Sequence, residues 1–205
     1  AAPALALLLT GKVDPIPAMG DKGDRTALPQ YAYENLRITI HDMEQLVRTA
    51  WFRGVSALPN VFVHESFIDE LAVEAGADPL EFRLRHITDM RAAELMKATA
   101  DRAGWEHRVG PNPHGENDVI LRGRGIAQAQ YMHGTWPGHP SAWSAWVAEV
   151  EVNRRTGEID VTRLVVGQDT GMMINPAGVR HQIHGNVIQS TSRVLKERAE
   201  IGETG

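Results

Sequence analysis

The stretch 167–197, GQDTGMMINPAGVRHQIHGNVIQSTSRVLKE, joins the end of a predicted strand to a long predicted helix through a polar, glycine-rich turn. Asn175 and Pro176 mark the start of the helix, because a proline in the first helical turn lacks only an N–H group that the helix does not need. Apolar residues then recur at helical spacing, at Val179, Ile183, Val187 and Val194. The stretch therefore predicts a strand–turn–helix unit and a mixed α/β (α+β) fold.

The polar side of this helix is rich in groups that form hydrogen bonds. It carries Arg180, His181, Gln182, His184, Asn186 and Gln189. One interpretation is a helix face in contact with water. The other is a helix N-terminus that presents N–H groups and amides to an anionic ligand. The residues alone leave both interpretations open.

The composition excludes several classes of function. The chain has 205 residues, of which 42% are hydrophobic and 23% charged, as in ordinary globular proteins. Its net charge is -5 and it has no run of lysine or arginine, so a nucleic-acid partner is not expected. It has no cysteine, so it holds neither a disulfide nor a cysteine-ligated iron–sulfur cluster.

The two ends of the sequence suggest a piece of a longer protein. The chain begins AAPALALLLTGK, without a methionine, and its apolar residues 4–9 are too few to span a membrane, which takes about 20 residues. This start also lacks the basic region of a signal peptide. We therefore expect a fragment or a processed piece, with no membrane span.

In the first half of the chain, two predicted strands precede three predicted helices. Alternating apolar residues predict a half-buried strand over 31–41, and residues 47–52 are a second candidate strand. Helices are predicted over 61–76, after the Asp78-Pro79 cap, and over 91–104. In the first of these helices we expect Phe62, Ile68, Leu71 and Val73 to face the core, with Glu65, Asp69, Glu70 and Glu74 outside.

Two sequence fragments imitate known motifs without completing them. His64-Glu65 lacks the second histidine of a zinc-protease motif, because position 68 is isoleucine, so both residues are interpreted as structural. Gly123 and Gly125 begin a dinucleotide-binding pattern, but position 128 is glutamine and the pattern fails.

The second half begins after a Pro/Gly-rich linker at 108–118, which predicts two domains, 1–110 and 111–205. A strand is predicted over 119–131, and a hairpin over 146–153 and 159–166.

The segment 51–60, WFRGVSALPN, is a second candidate for a ligand site. Gly54 allows a sharp turn and a close approach of the backbone to a ligand. Arg53 can hold an oxyanion or phosphate with its forked donors. From the residues alone, a surface loop that leads into a helix is the favoured alternative.

Several segments together resemble the large, molybdenum-binding subunit of the molybdenum hydroxylases, the xanthine dehydrogenase and aldehyde oxidase family. The bacterial nicotinate dehydrogenase and isoquinoline 1-oxidoreductase type is the most similar. Two segments, HESFIDELA at 64–72 and DPLEFRLRHI at 78–87, carry the first part of the resemblance. The other matching residues are Phe52-Arg53-Gly54, the run AEVEV at 148–152, Thr156-Gly157, Asp169, Gly171, Asn175-Pro176, Gln182, Gly185 and Gln189.

The resemblance implies part of the molybdopterin-binding domains and a molybdenum–molybdopterin cofactor, in its cytosine dinucleotide form. Phe52, Arg53 and Gly54 match residues beside the metal, and Gln182 matches a glutamine next to the cofactor. Because the pterin dithiolene holds the metal, no protein side chain need ligate it. Glu203 resembles the family's catalytic glutamate, although its spacing from Gln182 is shorter than in the family. A glutamate in contact with water is the alternative for Glu203.

The implied reaction is the hydroxylation of an N-heteroaromatic compound or an aldehyde, with water as the oxygen source. The implied partner is an iron–sulfur subunit with two 2Fe-2S clusters, with a cytochrome c as a candidate acceptor. The expected location is the bacterial cytoplasm or the periplasmic side of the inner membrane. The alternatives are a non-catalytic structural fragment of such a subunit and an unrelated anion-binding α/β domain.

Overall fold

A computed structural model of the chain describes residues 25–41, 52–110, 119–132, 141–198 and 200. Within these residues it contains helices and an antiparallel sheet, which confirms the mixed α/β class. In chain order the elements are α1 (Ala57–Glu74), α2 (Pro79–His86), α3 (Met90–Ala103), β1 (Ile120–Met132), β2 (Ser141–Asn153), β3 (Ile159–Asp169) and α4 (Pro176–Leu195).

Side-chain caps explain where three of the helices begin. Asp78 caps α2, Asp89 caps α3 and Asn175 caps α4, and each accepts hydrogen bonds from backbone N–H groups of the first turn. Prolines occupy the first turn of α2 and α4. Helix α3 ends at Gly104, whose φ of 68° lies in the left-handed region that favours glycine. The predicted helix starts at Pro79 and Pro176 are therefore confirmed.

The sheet has the strand order β1-β2-β3, and both pairs are antiparallel. Strands β2 and β3 form the predicted hairpin, with Trp146 opposite Val166. Both hairpin strands are longer than predicted. The register shifts at Glu149/Val150, which marks a β-bulge or irregularity in the pairing. Strand β1, predicted over 119–131, is confirmed to within a residue at each end.

Helix α3 packs across this sheet and forms the core with it. The buried cluster consists of Met96, Ala100, Ala103, Ile126, Ala145 and Val147. The helix comes very close to β3 at Gly167, where a Cβ atom would lie 2.0 Å from Thr99 Oγ1. Glycine at this position is therefore required by the distance between the helix and the strand.

A buried ion pair ties α1, α2 and β1 together. The Arg83 side chain is fully buried, and its Nε lies 3.0 Å from Glu65 Oε2. Arg83 Nη1 also donates to Asp69 Oδ1 at 2.6 Å. Glu65 further accepts from the Tyr31 hydroxyl at 2.6 Å and from the Gln128 backbone N–H at 2.9 Å. Burial, followed by the nearby Glu65 carboxylate, raises the pKa of Tyr31, which keeps this hydroxyl a donor.

The outward orientation predicted for Glu65 is therefore wrong, because Arg83 compensates its buried charge. The predicted apolar face of α1 is also partly wrong. Ile68 is buried as expected, but Phe62 is 67% and Val73 54% exposed. The helix begins at Ala57, before the predicted residue 61, because Pro59 lies in its first turn, where proline is tolerated.

The strand predicted over 31–41 is wrong. Tyr31 makes only an isolated bridge to Ile87, and the residues that follow, 32–41, form no strand. Leu36, Ile38 and Ile40 are exposed by 49%, 41% and 53%. Alternation predicts a strand only where a neighbouring strand accepts its hydrogen bonds, and none does so among the described residues. In the candidate strand 47–52, residues 47–51 lie outside the described residues.

Of the predicted linker, residues 111–118 lie outside the described residues, and the division into 1–110 and 111–205 stays a prediction. No helix in the described ranges combines the length and the apolar character that crossing a membrane requires.

Candidate cofactor-binding site

The turn between Phe52 and Ser56 has an unusual backbone. Gly54 has a φ of 92°, which glycine adopts easily. Val55 has a φ of 51°, a conformation that is strained for a β-branched residue. Two backbone hydrogen bonds close the turn, from Val55 N to Phe52 O at 2.9 Å and from Ala57 N to Gly54 O at 3.0 Å. The sharp turn predicted at Gly54 is present.

This turn contacts α4. Arg53 Nη2 donates a hydrogen bond to Gln182 Oε1, and both residues are exposed. The structure thus brings together two residues that the sequence singled out separately. Because the amide oxygen of Gln182 accepts from Arg53, its NH2 group is the part that remains to donate to a ligand. Phe52 lies beside them with 69% of its surface exposed.

The Arg53 side chain lies against α4 at Gly185. A Cβ atom at position 185 would lie 3.9 Å from Arg53 Nη1, so the guanidinium group lies close to the helix surface. At 3.6 residues per turn, Gln182, Gly185, Gln189 and Arg193 share one side of α4. The Arg53 side chain therefore contacts this side of the helix.

Arg193 is a residue of the site that the sequence reasoning missed. Its Nη1 donates to the backbone oxygen of Arg53 at 3.0 Å. Its guanidinium carbon lies 5.4 Å from the centre of the Phe52 ring. The helical spacing from Gln182 was the available signal, because it places Arg193 on the same side of α4.

A second polar cluster fixes the turn that leads into α4. Asp169 at the end of β3 accepts from Arg91 Nε and Nη2, both at 2.7 Å, and from Gly171 N at 2.9 Å. Arg91 also stacks on Trp143, with its guanidinium carbon 4.3 Å from the ring centre. The hydrogen bonds from Arg91, and then the one from Gly171, lower the pKa of Asp169. This cluster ties the start of the turn to α3.

The lowered pKa of Asp169 predicts a dependence of stability on pH. A carboxyl group whose pKa is lower in the folded chain contributes stability above its unfolded pKa of about 3.9, and loses it as the pH falls through the folded pKa. We therefore expect Asp169→Asn to lower the melting temperature at pH 7 by more than it does at pH 3. Thermal unfolding across this range, with Asp160→Asn in the same strand as control, measures the difference. A decrease in melting temperature that is the same at pH 7 and at pH 3 would contradict the expectation.

The remaining predicted residue, Glu203, lies outside the described residues. Among the residues that the structure does describe, no group of three or more His, Cys, Asp or Glu side chains could hold a metal ion. The site instead offers a guanidinium group and an amide, both exposed to solvent. Such donors suit a ligand rich in hydrogen-bond acceptors, such as a phosphate or a pterin. The residues present therefore fit a molybdopterin cofactor whose metal is held by the pterin.

Comparisons with known proteins agree with this chemistry. Residues 19–205 match the family described as molybdopterin cofactor-binding domain. The chain is 60% identical over 203 residues to a subunit of the nicotinate dehydrogenase of Pseudomonas putida, covering 99% of this chain and 17% of that protein. It is 30% identical over 158 residues to the beta subunit of the isoquinoline 1-oxidoreductase of Brevundimonas diminuta, covering 77% of this chain and 18% of that protein.

A third relative is a membrane-bound aldehyde dehydrogenase of Gluconacetobacter polyoxogenes, whose name specifies pyrroloquinoline-quinone. It is 28% identical over 173 residues, covering 77% of this chain and 21% of that protein. The chain thus spans about a fifth or less of the length of these relatives. Because the family match extends over most of the sequence, the chain belongs to the molybdopterin cofactor-binding domain family, as its resemblance to the molybdenum hydroxylases indicated.

Proposed function

We propose that this chain is a cofactor-binding portion of a molybdenum-dependent hydroxylating dehydrogenase, and that Arg53 and Gln182 donate hydrogen bonds to its molybdopterin. The observation that supports this most is the hydrogen bond between the two side chains, which joins the turn before α1 to α4. Phe52 and Gly54 belong to the same turn and complete the site.

Each residue has a distinct part in the proposed site. The Arg53 guanidinium supplies a positive charge for anionic groups of the cofactor. The Gln182 NH2 group donates to an oxygen of the cofactor, an interaction that an aliphatic side chain of similar size cannot make. The bound cofactor supplies the two-electron oxidation chemistry. Glu203 is proposed as the general base of the hydroxylation.

The finer parts of the proposal concern the whole enzyme. The cofactor is proposed to be the cytosine dinucleotide form, and the substrate an N-heteroaromatic compound or an aldehyde. The names of two of these relatives, which specify nicotinate and isoquinoline, favour the heteroaromatic class. Electrons are proposed to leave through iron–sulfur clusters on a partner chain, since this chain has no cysteine to ligate them. A cytochrome c is the proposed acceptor.

Substitution of the two donors tests the proposal. In the assembled enzyme we expect Arg53→Ala and Gln182→Leu to fold normally, because both side chains are exposed. Each variant should retain less cofactor or turn over more slowly. We expect a loss of about 1–3 kcal/mol for Gln182→Leu, the cost of leaving a polar partner unmatched. Metal analysis and nucleotide analysis of the purified variants, together with single-turnover reduction rates, give the result.

His184→Leu is the matched control, because two residues along the helix place it about 200° from Gln182. If Arg53→Ala and Gln182→Leu both keep wild-type molybdenum content and rate, the proposal fails and a structural role is favoured. If Gln189→Leu abolishes both properties while Gln182→Leu does not, the cofactor lies against another part of α4. Pyrroloquinoline-quinone in place of molybdopterin in the purified enzyme would also overturn the proposal.

A further inference from the structure

The Arg193 side chain is largely covered, although it carries a charge. In the described part of the chain no residue of α4 is buried, yet the Arg193 side chain is only 15% exposed. Its carboxylate neighbour Glu197 lies 4.0 Å from Arg193 Nε, beyond hydrogen-bond range. The hydrogen bond of Arg193 goes instead to the backbone oxygen of Arg53. An arginine side chain covered to this extent is therefore directed at the turn before α1.

The turn that Arg193 contacts needs external support. Val55 keeps a left-handed conformation that costs a β-branched residue free energy, and such a conformation persists only where the surrounding structure holds it. Neither of the turn's own backbone bonds, from Val55 N to Phe52 O and from Ala57 N to Gly54 O, uses the Arg53 carbonyl. Arg193 adds a charged donor to the Arg53 carbonyl and a cationic group over Phe52.

We infer that Arg193 is a positioning residue, which holds the Phe52–Arg53–Gly54 backbone against α4 and so directs the Arg53 guanidinium to Gln182. Two contacts join Arg53 to this side of α4. Arg193 holds the main chain of Arg53, while the side chain of Arg53 bonds to Gln182 on the same side of the helix. Two separate bonds from one residue to one helix side fix both the place of the turn and the direction of its side chain. The importance of Arg193 for the cofactor rests on the proposed function, whereas its effect on the turn does not.

Hydrogen exchange of the assembled enzyme tests the inference directly. The amides of Val55 and Ala57 report on the turn, because both are bonded within it. We expect Arg193→Gln to speed their exchange by roughly tenfold, the effect of one hydrogen bond from a charged donor. Arg193→Lys should recover part of the protection, since lysine keeps a charged donor but has no planar group to lie over Phe52. Arg180→Gln, an exposed arginine of the same helix, is the control.

The second measurement is molybdenum content in the same variants. Faster exchange together with reduced content in Arg193→Gln, both partly restored in Arg193→Lys, supports the inference and the proposed function together. Faster exchange with unchanged content supports the positioning role and counts against Arg53 as a cofactor ligand. Unchanged exchange in Arg193→Gln overturns the inference, whatever the cofactor content. An equal rise in exchange for Arg180→Gln overturns it as well, because the effect would then belong to the helix as a whole.

Discussion

Replacing Arg83 by methionine should destabilise the protein by about 3–5 kcal/mol, the usual cost of leaving a buried carboxylate without its partner. Arg83 is the most deeply enclosed charge of the described residues, with hydrogen bonds to Glu65, Asp69 and the Pro79 backbone oxygen. Its removal leaves Glu65 buried with only neutral donors. The melting temperature and the urea midpoint should both fall sharply.

Arg85→Met is the matched control for this substitution. Arg85 lies on the same helix, but its ion pair with Glu81 is exposed, so its loss should cost less than about 1 kcal/mol. The double variant Arg83→Met/Glu65→Leu should lose less stability than the two single variants lose together, because it removes the unpaired charge. Equal losses of stability in Arg83→Met and Arg85→Met would show that the buried network stabilises the protein no more than an exposed ion pair does.

Replacing Gly167 by alanine should cost about 3 kcal/mol, near the upper end for overpacking a core. The new Cβ would lie 2.0 Å from Thr99 Oγ1, 3.1 Å from Leu95 Cδ1 and 3.3 Å from Thr99 Cβ. Thr99 is buried, and its hydroxyl donates to Leu95 O at 2.7 Å, so it cannot move away freely. Helix α3 would have to shift from β3.

Gly125→Ala is the control for crowding, because nothing lies within 4 Å of a Cβ atom at that position on β1. Adding Thr99→Ala to Gly167→Ala should restore part of the lost stability, since it removes the closest atom. Thermal unfolding of the wild type and of these three variants gives the result. A melting temperature for Gly167→Ala as high as that of Gly125→Ala would show that α3 and β3 are farther apart than described.

Local patterns account for the parts of the fold that were predicted correctly. The alternation of apolar and polar residues on either side of a turn at 153–157 predicted the β2–β3 hairpin. The Asn175-Pro176 pair predicted the start of α4. Both signals lie within a few residues of the structure that they produce. The strand predicted over 31–41 failed because pairing depends on a neighbour that alternation cannot reveal. The buried position of Glu65 was missed for the same reason, since its compensating charge lies on α2.

The candidate site shows the same limit. Periodicity and turn chemistry placed Arg53 on a loop and Gln182 on a helix, but only the resemblance assigned both to one cofactor. Their hydrogen bond joins residues far apart in sequence, and no local pattern indicates it. Arg193 was missed because its partner is a backbone carbonyl, a group that every residue carries.

Since none of its described residues is buried, α4 should lose little stability on substitution at its exposed positions away from Gln182 and Arg193. Ile188 and Val194 are 72% and 77% exposed, and changes at such surface positions usually alter stability by no more than about 0.5 kcal/mol. In helix α3, substitutions at the residues that pack against the sheet should cost more stability. The exposed positions of α4 on the sides away from Gln182 and Arg193 can therefore change one residue at a time, while the scaffold of α3 and the sheet stays the same.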